Sequence, residues 1–456
     1  MDLYQATLPA LVFVVALAVP GLSQSVWQVD ATQGADAIQI AVDAASDGDL
    51  ILVGPGDYNR VRIAGKGLTL IGEPALGGVQ LLLFDSGEQA ASVGLLELVD
   101  IGSSQSVRVE GFQLSGGSNS HPTLVVRQSA GSVVVGNVTV ESAPAVSGTS
   151  YPSILVEDSD SVHLRNVSST MSREQDPVFL IFNLDGLRVR NSKLSASGCS
   201  FVAGDSFVHE PEGWFAPGGS GIFAEDSVLQ LANTRAVGGM QDFESDLYFS
   251  GGGYGLRMQG TSQAWIAGGS NATFEGAEGV TEVTPFGVVL VSSSGQAGIG
   301  AFQNAQIHAA PDVAFVEGVP GPLDAYDGES VVEGLSSLTI LPEALGRASL
   351  SATTPQLGDS VQLELSGQPG AIMLPFLSLA LQPPTPIAGI GALAWLDGTA
   401  LALGSLALDG AGEGQLSFTI PALPQWGGQS VFWQTAQLSS AAQLSLSDPA
   451  GLVVLP

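Results

Sequence analysis

The residues best suited to chemistry gather in two stretches of the chain. Ser197 to Ser220 carries His209, Glu210, Glu212, Trp214 and Phe215, and Arg235 to Tyr254 carries Asp242, Glu244, Asp246, Tyr248 and Tyr254. Aromatic faces stack on the C–H surfaces of sugars, and carboxylates accept hydrogen bonds from hydroxyls, so this mixture points to a glycan groove. Trp214 is the expected stacking platform, because an indole offers the largest flat face and Gly213 to Gly219 is rich in Gly and Pro. Tyr248 and Tyr254 would supply a second sugar subsite. Glu210 and Asp242 would orient hydroxyls or share a Ca²⁺ ion. The competing reading has Trp214, Phe215 and Tyr248 pack their own loops onto the body of the protein.

Catalysis would ask for more. Hydrolysis of a glycosidic bond needs an acid and a base or nucleophile about 5–10 Å apart. Glu210, Glu212, Asp242 and Glu244 are the right residue types, and the sequence leaves their separation open. Elimination needs a cation or Ca²⁺ to neutralise a substrate carboxylate, and a base to take the α-proton. Arg173 and Arg235 are the nearest cations, and each reads as a surface ion-pair partner. No catalytic residue is assigned on these grounds. The four histidines, His121, His163, His209 and His308, show no metal-ligand spacing. Asp324, Asp327 and Glu329 gather beside Gly328 and offer oxygen ligands to Ca²⁺, but without the spacing of a calcium loop. No cofactor is expected beyond such an ion. Cys199 is the one cysteine, which excludes an intrachain disulfide and a paired-thiolate zinc site; it reads as a small buried hydrophobe.

Charge narrows the partners. Lys plus Arg is 13 against 44 Asp plus Glu, a formal net charge of −31. Such a surface repels phosphate backbones and anionic lipid heads, so neither nucleic acid nor peripheral membrane binding is expected. Polysaccharide is the partner that fits. At the amino terminus, Leu8 to Val19 is apolar but too short to span a bilayer. Pro20-Gly21 breaks it, and Gly21-Leu22-Ser23 has the small residues of a cleavage site. Residues 1–23 therefore read as a secretory signal peptide, although no Lys or Arg precedes the apolar stretch, and the mature chain is expected outside the cytoplasm.

The elements that must position these residues form a repeat. Val107-Arg-Val-Glu-Gly111, Val133-Val-Val-Gly-Asn137, Val162-His-Leu-Arg-Asn166, Leu187-Arg-Val-Arg-Asn191 and Leu229-Gln-Leu-Ala-Asn233 align at spacings of 26, 29, 25 and 42 residues. The fifth position is always Gly or Asn, the residues that tolerate a left-handed backbone. A second short strand is expected before each copy, at 123–127, 154–157, 178–182, 221–224, 255–258 and 287–291. Strands this short, in coils of about 25 residues or more, suit a solenoid of stacked parallel sheets. The antiparallel alternative would show two-residue hairpin turns between long alternating strands, and the nearest case, Asp185-Gly186, falls inside a repeat. Ahead of the repeat, Asp36 and Gln39 read as a capping box, and Ile38, Ala41, Val42 and Ala45 form one apolar helix face. That helix can plug the open first coil.

Residues 36 to 72 resemble the first-coil segment of secreted right-handed parallel β-helix proteins, the pectin-lyase-like superfamily. Ile38-Gln39, Ala41-Val42, Ala44-Ala45, Gly48-Asp49, Ile51, Val53, Pro55-Gly56, Tyr58 and Lys66-Gly-Leu-Thr-Leu-Ile-Gly72 carry the likeness. It implies an all-β chain with a β-helix over 24–310 and an N-terminal capping helix. The superfamily's enzyme signatures are not intact: Asn-Thr-Asp, Asp-Asp, Gly-His-Gly and Arg-x-Pro-x-x-Arg are missing, and Gln241-Asp242-Phe243 is a fragment of another. The expected role is thus a secreted protein that binds polysaccharide or builds part of an extracellular surface, the alternative being a polysaccharide lyase or glycoside hydrolase acting on acidic glycans. Residues 311–337 read as a linker or last coil. Residues 338–456 carry eight short apolar strands expected to form a small β-sandwich similar to C-terminal modules of large secreted bacterial proteins, a likeness that implies attachment and no chemistry.

Overall fold

The computed structural model describes residues 25–453 apart from 73–78, 83–95, 117–120, 143–150, 172–183, 206, 210–213, 217, 241–252, 268–271, 278–280, 284–288, 293–297, 310–312, 317–331, 334–337, 341–345, 351–354, 380, 388–391, 397–399, 423–429, 440–443 and 448–449. The chain folds as a parallel β-helix, right-handed as parallel crossovers almost always are, followed by a small antiparallel sandwich. Three parallel sheets form the solenoid wall, of eleven, nine and nine strands among the described residues. Each coil visits them in a fixed order, called here A, B and C. Ser161–Arg165, Ser168–Met171 and Leu187–Arg190 are one such passage.

Register explains the apolar alternation. On sheet A the stack Val107, Val133, Val162, Leu194, Leu229, Ala264 and Ile307 lines up rung on rung. All of these point inward and are buried in one continuous core. The turns between sheets demand a left-handed residue in each coil. Gly111, Asn137, Asn166, Gly198 and Asn233 hold positive φ at the A-to-B corner. Gly65, Asp100, Gln128, Asp158, Asn191, Asp226 and Gly260 do the same at the C-to-A corner. The second corner is also stitched by buried serines. The backbone N–H groups of Ser129, Ser159, Ser192 and Ser227 donate to the Oγ of Ser159, Ser192, Ser227 and Ser262 at 3.0–3.3 Å. The hydroxyls in turn donate to main-chain carbonyls of their own corners.

This geometry corrects the repeat alignment at one copy. Leu187–Arg190 lies in sheet C, and the sheet A strand of that coil is Lys193–Ser197. Asn191 therefore belongs to the C-to-A corner, where its side chain donates to Asp158 Oδ1 at 2.8 Å, and Gly198 takes the place expected for it. The strand expected at 287–291 is also different: Val289–Ser292 pairs antiparallel with Thr281–Val283, and Ile299–Ala301 is the sheet C strand of that coil. The segment 178–182 lies outside the described residues.

The helix α1 (Ala37–Ala44) buries Ala37, Ile38, Ala41 and Val42 against the first coil. Its capping differs from expectation. Asp36 makes no cap hydrogen bond; its Oδ1 accepts from Asn59 Nδ2 at 2.7 Å. The capping box sits one turn earlier, between Asp30 and Gln33 on a 3₁₀ turn. At the other end of α1, Lys66 Nζ donates to the carbonyls of Val42, Asp43 and Ala45 at 2.9–3.0 Å. A cation there satisfies orphaned carbonyls and complements the helix dipole. Asp49 is buried, and its carboxylate accepts from Ser25 and Ser46 N–H and Trp27 Nε1. Burial alone would raise its pKa, but these hydrogen bonds outweigh it and hold the pKa below the ordinary value.

Parallel pairing continues through Val332–Glu333 and Leu338–Ile340, the latter a last rung on sheet A. Antiparallel pairing begins at Gly346–Leu350. The sandwich core gathers Val361, Leu363, Leu365, Met373, Leu408, Ile420, Val431 and Trp433, with the Phe418 and Trp433 rings 5.1 Å apart. On Ser430–Leu438 the alternate residue Phe432 faces away from this core and lies 6.4 Å from the His163 ring, on the outward side of sheet A. Among the described residues no helix is long and apolar enough to cross a membrane.

Two outcomes follow. Asn166→Val should destabilise the chain by about 1 kcal/mol or more, because a β-branched residue strains a left-handed corner, whereas Asn166→Gly should cost less; denaturant unfolding of both variants checks this. Burial under Phe432 pushes the His163 imidazole down to about 4. The unfolded chain therefore takes up this proton first, and stability present above pH ~6.5 falls as the pH drops from there toward 4. His163→Gln should flatten that part of the stability–pH curve, read by thermal unfolding across the range.

Candidate functional site

Both chemistry-bearing stretches leave the solenoid where sheet B passes to sheet C. The sheet B strands Ser200–Val202 and Arg235–Val237 are neighbours, and the sheet C strands that follow, Ile222–Glu225 and Leu256–Gln259, are neighbours too. Glycines line the exit and return points. Gly219 N–H donates to Gly204 O, Gly239 N–H to Gly219 O and Gly253 N–H to Gly239 O, at 2.8–3.0 Å. A Cβ on Gly219, Gly239 or Gly253 would collide with the backbone carbonyl of the rung below. The two excursions, 205–218 and 240–252, are thus anchored one above the other, and Met240 N–H donates to Asp205 Oδ1 at 2.9 Å across them.

Within the first excursion, Phe207–His209 and Trp214–Ala216 form an antiparallel hairpin. His209 stands opposite Trp214 and Phe215 opposite Val208. Glu210, Glu212, Asp242, Glu244 and Tyr248 lie outside the described residues, as do Arg173 and the Asp324, Asp327 and Glu329 group. Tyr254 lies where the second excursion rejoins sheet C, and it is half-buried. Its ring meets Phe302 edge to face, with centroids 5.7 Å apart. A Cβ at Gly300 would stand 2.9 Å from both rings, so the bare glycine lets them fold over the wall.

Tyr254 is joined by residues that sequence reading did not single out. Arg188, Phe223, Arg257 and Gly300 form one outward row along sheet C. The Arg257 guanidinium lies 5.4 Å from the Phe223 ring centroid, 5.9 Å from Tyr254 and 5.5 Å from Phe302. Arg188 covers the other side of Phe223 at 4.7 Å. Arg188 is committed to Asp185, with Nε and Nη2 at 2.9 and 2.8 Å from Oδ2. Asp185 is buried, and its other oxygen accepts from Ser220 N–H at 2.8 Å. Desolvation raises the Asp185 pKa against the pull of Arg188 and that hydrogen bond. Both of its oxygens are engaged, so Asp185 serves to hold Arg188 in place.

Arg257 is different. It is exposed, and among the described residues it makes no hydrogen bond and no ion pair. Its guanidinium lies among three aromatic rings, a setting that leaves the N–H donors unused by those contacts. The sequence signal was available: Arg188 and Arg257 occupy outward positions that alternate with the inward Leu187, Val189, Leu256 and Met258. It was missed because the row is assembled from coils far apart in sequence. Arg235, read as an ion-pair partner, is one, with Nε and Nη2 each 3.1 Å from Glu275.

The remaining groups are poorly placed for chemistry. Cys199 is buried, its thiol pushed up to about 12 by desolvation. His308 stacks on Trp265 at 5.1 Å. Among the described residues no three His, Cys, Asp or Glu side chains gather in a way that could hold a metal ion.

No protein-family model matches the chain, and no curated protein matches it. Among solved structures, the sporulation control protein Spo0M from Bacillus subtilis is similar over 25% of this chain and 49% of its own, at 15% identity and a TM-score of 0.16. The chain thus spans about half the length of that structure.

Proposed function

We propose that this is an extracellular member of the pectin-lyase-like β-helix group that binds polysaccharide at its B-to-C corner and contributes to an extracellular surface without catalysing a reaction. The observation that carries this reading is the cluster of Tyr254, Phe302, Phe223 and Arg257 on sheet C, directly beside two stacked excursions. Aromatic rings give a sugar ring apolar contact, and the guanidinium gives a bidentate donor to a sugar carboxylate or paired hydroxyls. Trp214 and His209, paired across the hairpin, belong to the same binding surface in this reading. Glu210, Glu212, Asp242, Glu244 and Tyr248 complete it in this reading, with a Ca²⁺ ion shared between Glu210 and Asp242 where the glycan is acidic. Export rests on the apolar Leu8–Val19 stretch and its small-residue break.

Asp185, the described carboxylate nearest the arginines, is buried and fully hydrogen-bonded, so it is a poor base toward a substrate. The test is a panel of neutral and uronate-containing oligosaccharides, read for binding and for product release. Binding without release is expected. Arg257→Ala should weaken binding of uronate oligosaccharides by roughly tenfold, the scale of one charge-assisted contact. Trp214→Ala should abolish binding with little change in melting temperature. A large fall in melting temperature with affinity retained would make Trp214 a loop anchor. Release of unsaturated uronate products would replace the binding reading with a polysaccharide lyase.

A further inference from the structure

Sheet A carries a buried ionic cluster on its outward side, remote in sequence from the B-to-C corner. Val107 and Val109 point into the solenoid, so Arg108 and Glu110 of the same strand point out of it. They are nevertheless only 4% and 2% exposed. Glu110 is saturated. Its Oε1 accepts from Arg108 Nη2 at 2.9 Å and from Arg165 Nη2 at 3.1 Å. Its Oε2 accepts from Arg165 Nη2 and Asn137 Nδ2, each at 3.2 Å. Gly136 stands opposite Glu110, and a Cβ there would run into the carboxylate, so the glycine leaves the space in which Glu110 lies across the rung.

Arg108 is not satisfied. Its Nε and Nη1 are buried and have no hydrogen-bond partner among the described residues. Its cross-strand neighbours, Thr69 and Val134, bring no charge. A guanidinium has only donors, and a buried cationic donor without an acceptor carries its full desolvation penalty. Burial lowers the Arg108 pKa to about 10, against the pull of Glu110, so the group is still protonated at neutral pH. Its one carboxylate partner is shared with Arg165. An acceptor that also brings negative charge answers both deficits.

We propose that the outward face of sheet A binds a small monovalent anion of the halide class against one of the two unpartnered donors of Arg108, Nε–H or Nη1–H, which face different sides of the guanidinium, completing the cluster with Glu110 and Arg165. Arg108 shares its outward row with Val134 and His163, and Phe432 of the sandwich covers His163. The anion would therefore lie on the face that Phe432 approaches.

The experiment uses the full chain in two measurements. Thermal unfolding is followed at constant ionic strength while sodium gluconate, whose anion is too large for a buried site, is exchanged for sodium chloride or bromide. A saturating rise of roughly 1–3 °C in the halides is expected, and Arg108→Met should abolish it. Crystals grown with sodium bromide should show an anomalous peak within hydrogen-bond distance of Arg108 Nε or Nη1. The crystal measurement needs no variant, so it decides the matter even if Arg108→Met does not fold. Identical melting temperatures in gluconate and halide, or density at Arg108 without anomalous signal, would show a water site and overturn the proposal.

Discussion

Everything in the solenoid depends on turning the chain through a left-handed residue at the same place in successive coils. An L-residue other than Gly resists that conformation, and Asn and Asp resist it least. The corners accordingly hold Gly111, Asn137, Asn166, Gly198 and Asn233 on one edge, and Asp100, Asp158, Asn191 and Asp226 on the other. Because these positions are fixed, the strands between them keep register, and register keeps inward residues inward. Slipping one strand by one residue would turn its whole apolar set out to solvent. The Asn side chains add to the constraint by bonding along the stack, as Asn166 Nδ2 does to Asn137 Oδ1 at 3.1 Å.

Coil length is then free to vary only where no such residue is required. The B-to-C corner is that place. Its glycine ladder packs backbone on backbone with no room for side chains, and it lets the chain leave on one rung and return on the next. Long excursions there cost little closure entropy when their ends are already adjacent. Variable loops and a rigid wall thus meet along one edge, where the aromatic and guanidinium side chains of sheet C also lie.

The fold was legible to the extent that it is written in local backbone demands. The Gly/Asn corners, the apolar alternation and the buried face of α1 could all be read from residue types. The slip at Leu187 shows the boundary of that reading. Both corners of a coil use the same residue types, so Asn191 passed for the wrong one, and only pairing partners distinguish sheet C from sheet A. The capping box was misplaced for a related reason: Asp30 with Gln33 and Asp36 with Gln39 have identical spacing, and the tertiary bond from Asn59 decides that Asp36 is occupied elsewhere. The serine ladder and the Arg188–Phe223–Arg257 row stayed hidden because each member comes from a different coil. A solenoid turns a separation of about thirty-five residues into one strand spacing of about 4.8 Å, and sequence proximity says nothing about such neighbours.

The scarcity of cations gives that row its meaning. With 13 basic residues against 44 acidic ones, an arginine is readily neutralised, and most of the described ones are. Arg62, Arg127, Arg190 and Arg235 pair with Glu97, Glu157, Glu225 and Glu275 along the outer walls. Arg257 sits on the same wall and pairs with none of them; its cross-strand neighbours are Phe223 and Gly300. Rings on several sides hold the guanidinium by dispersion and cation–π attraction without using its donors. In a molecule whose field repels anions at long range, an aromatic-flanked cation with no ion-pair partner among the described residues acts chiefly at contact. Under the proposed polysaccharide-binding role, its selectivity is for a ligand already held on the wall by stacking, the order of events that a ring-bearing, hydroxyl-rich polymer would follow.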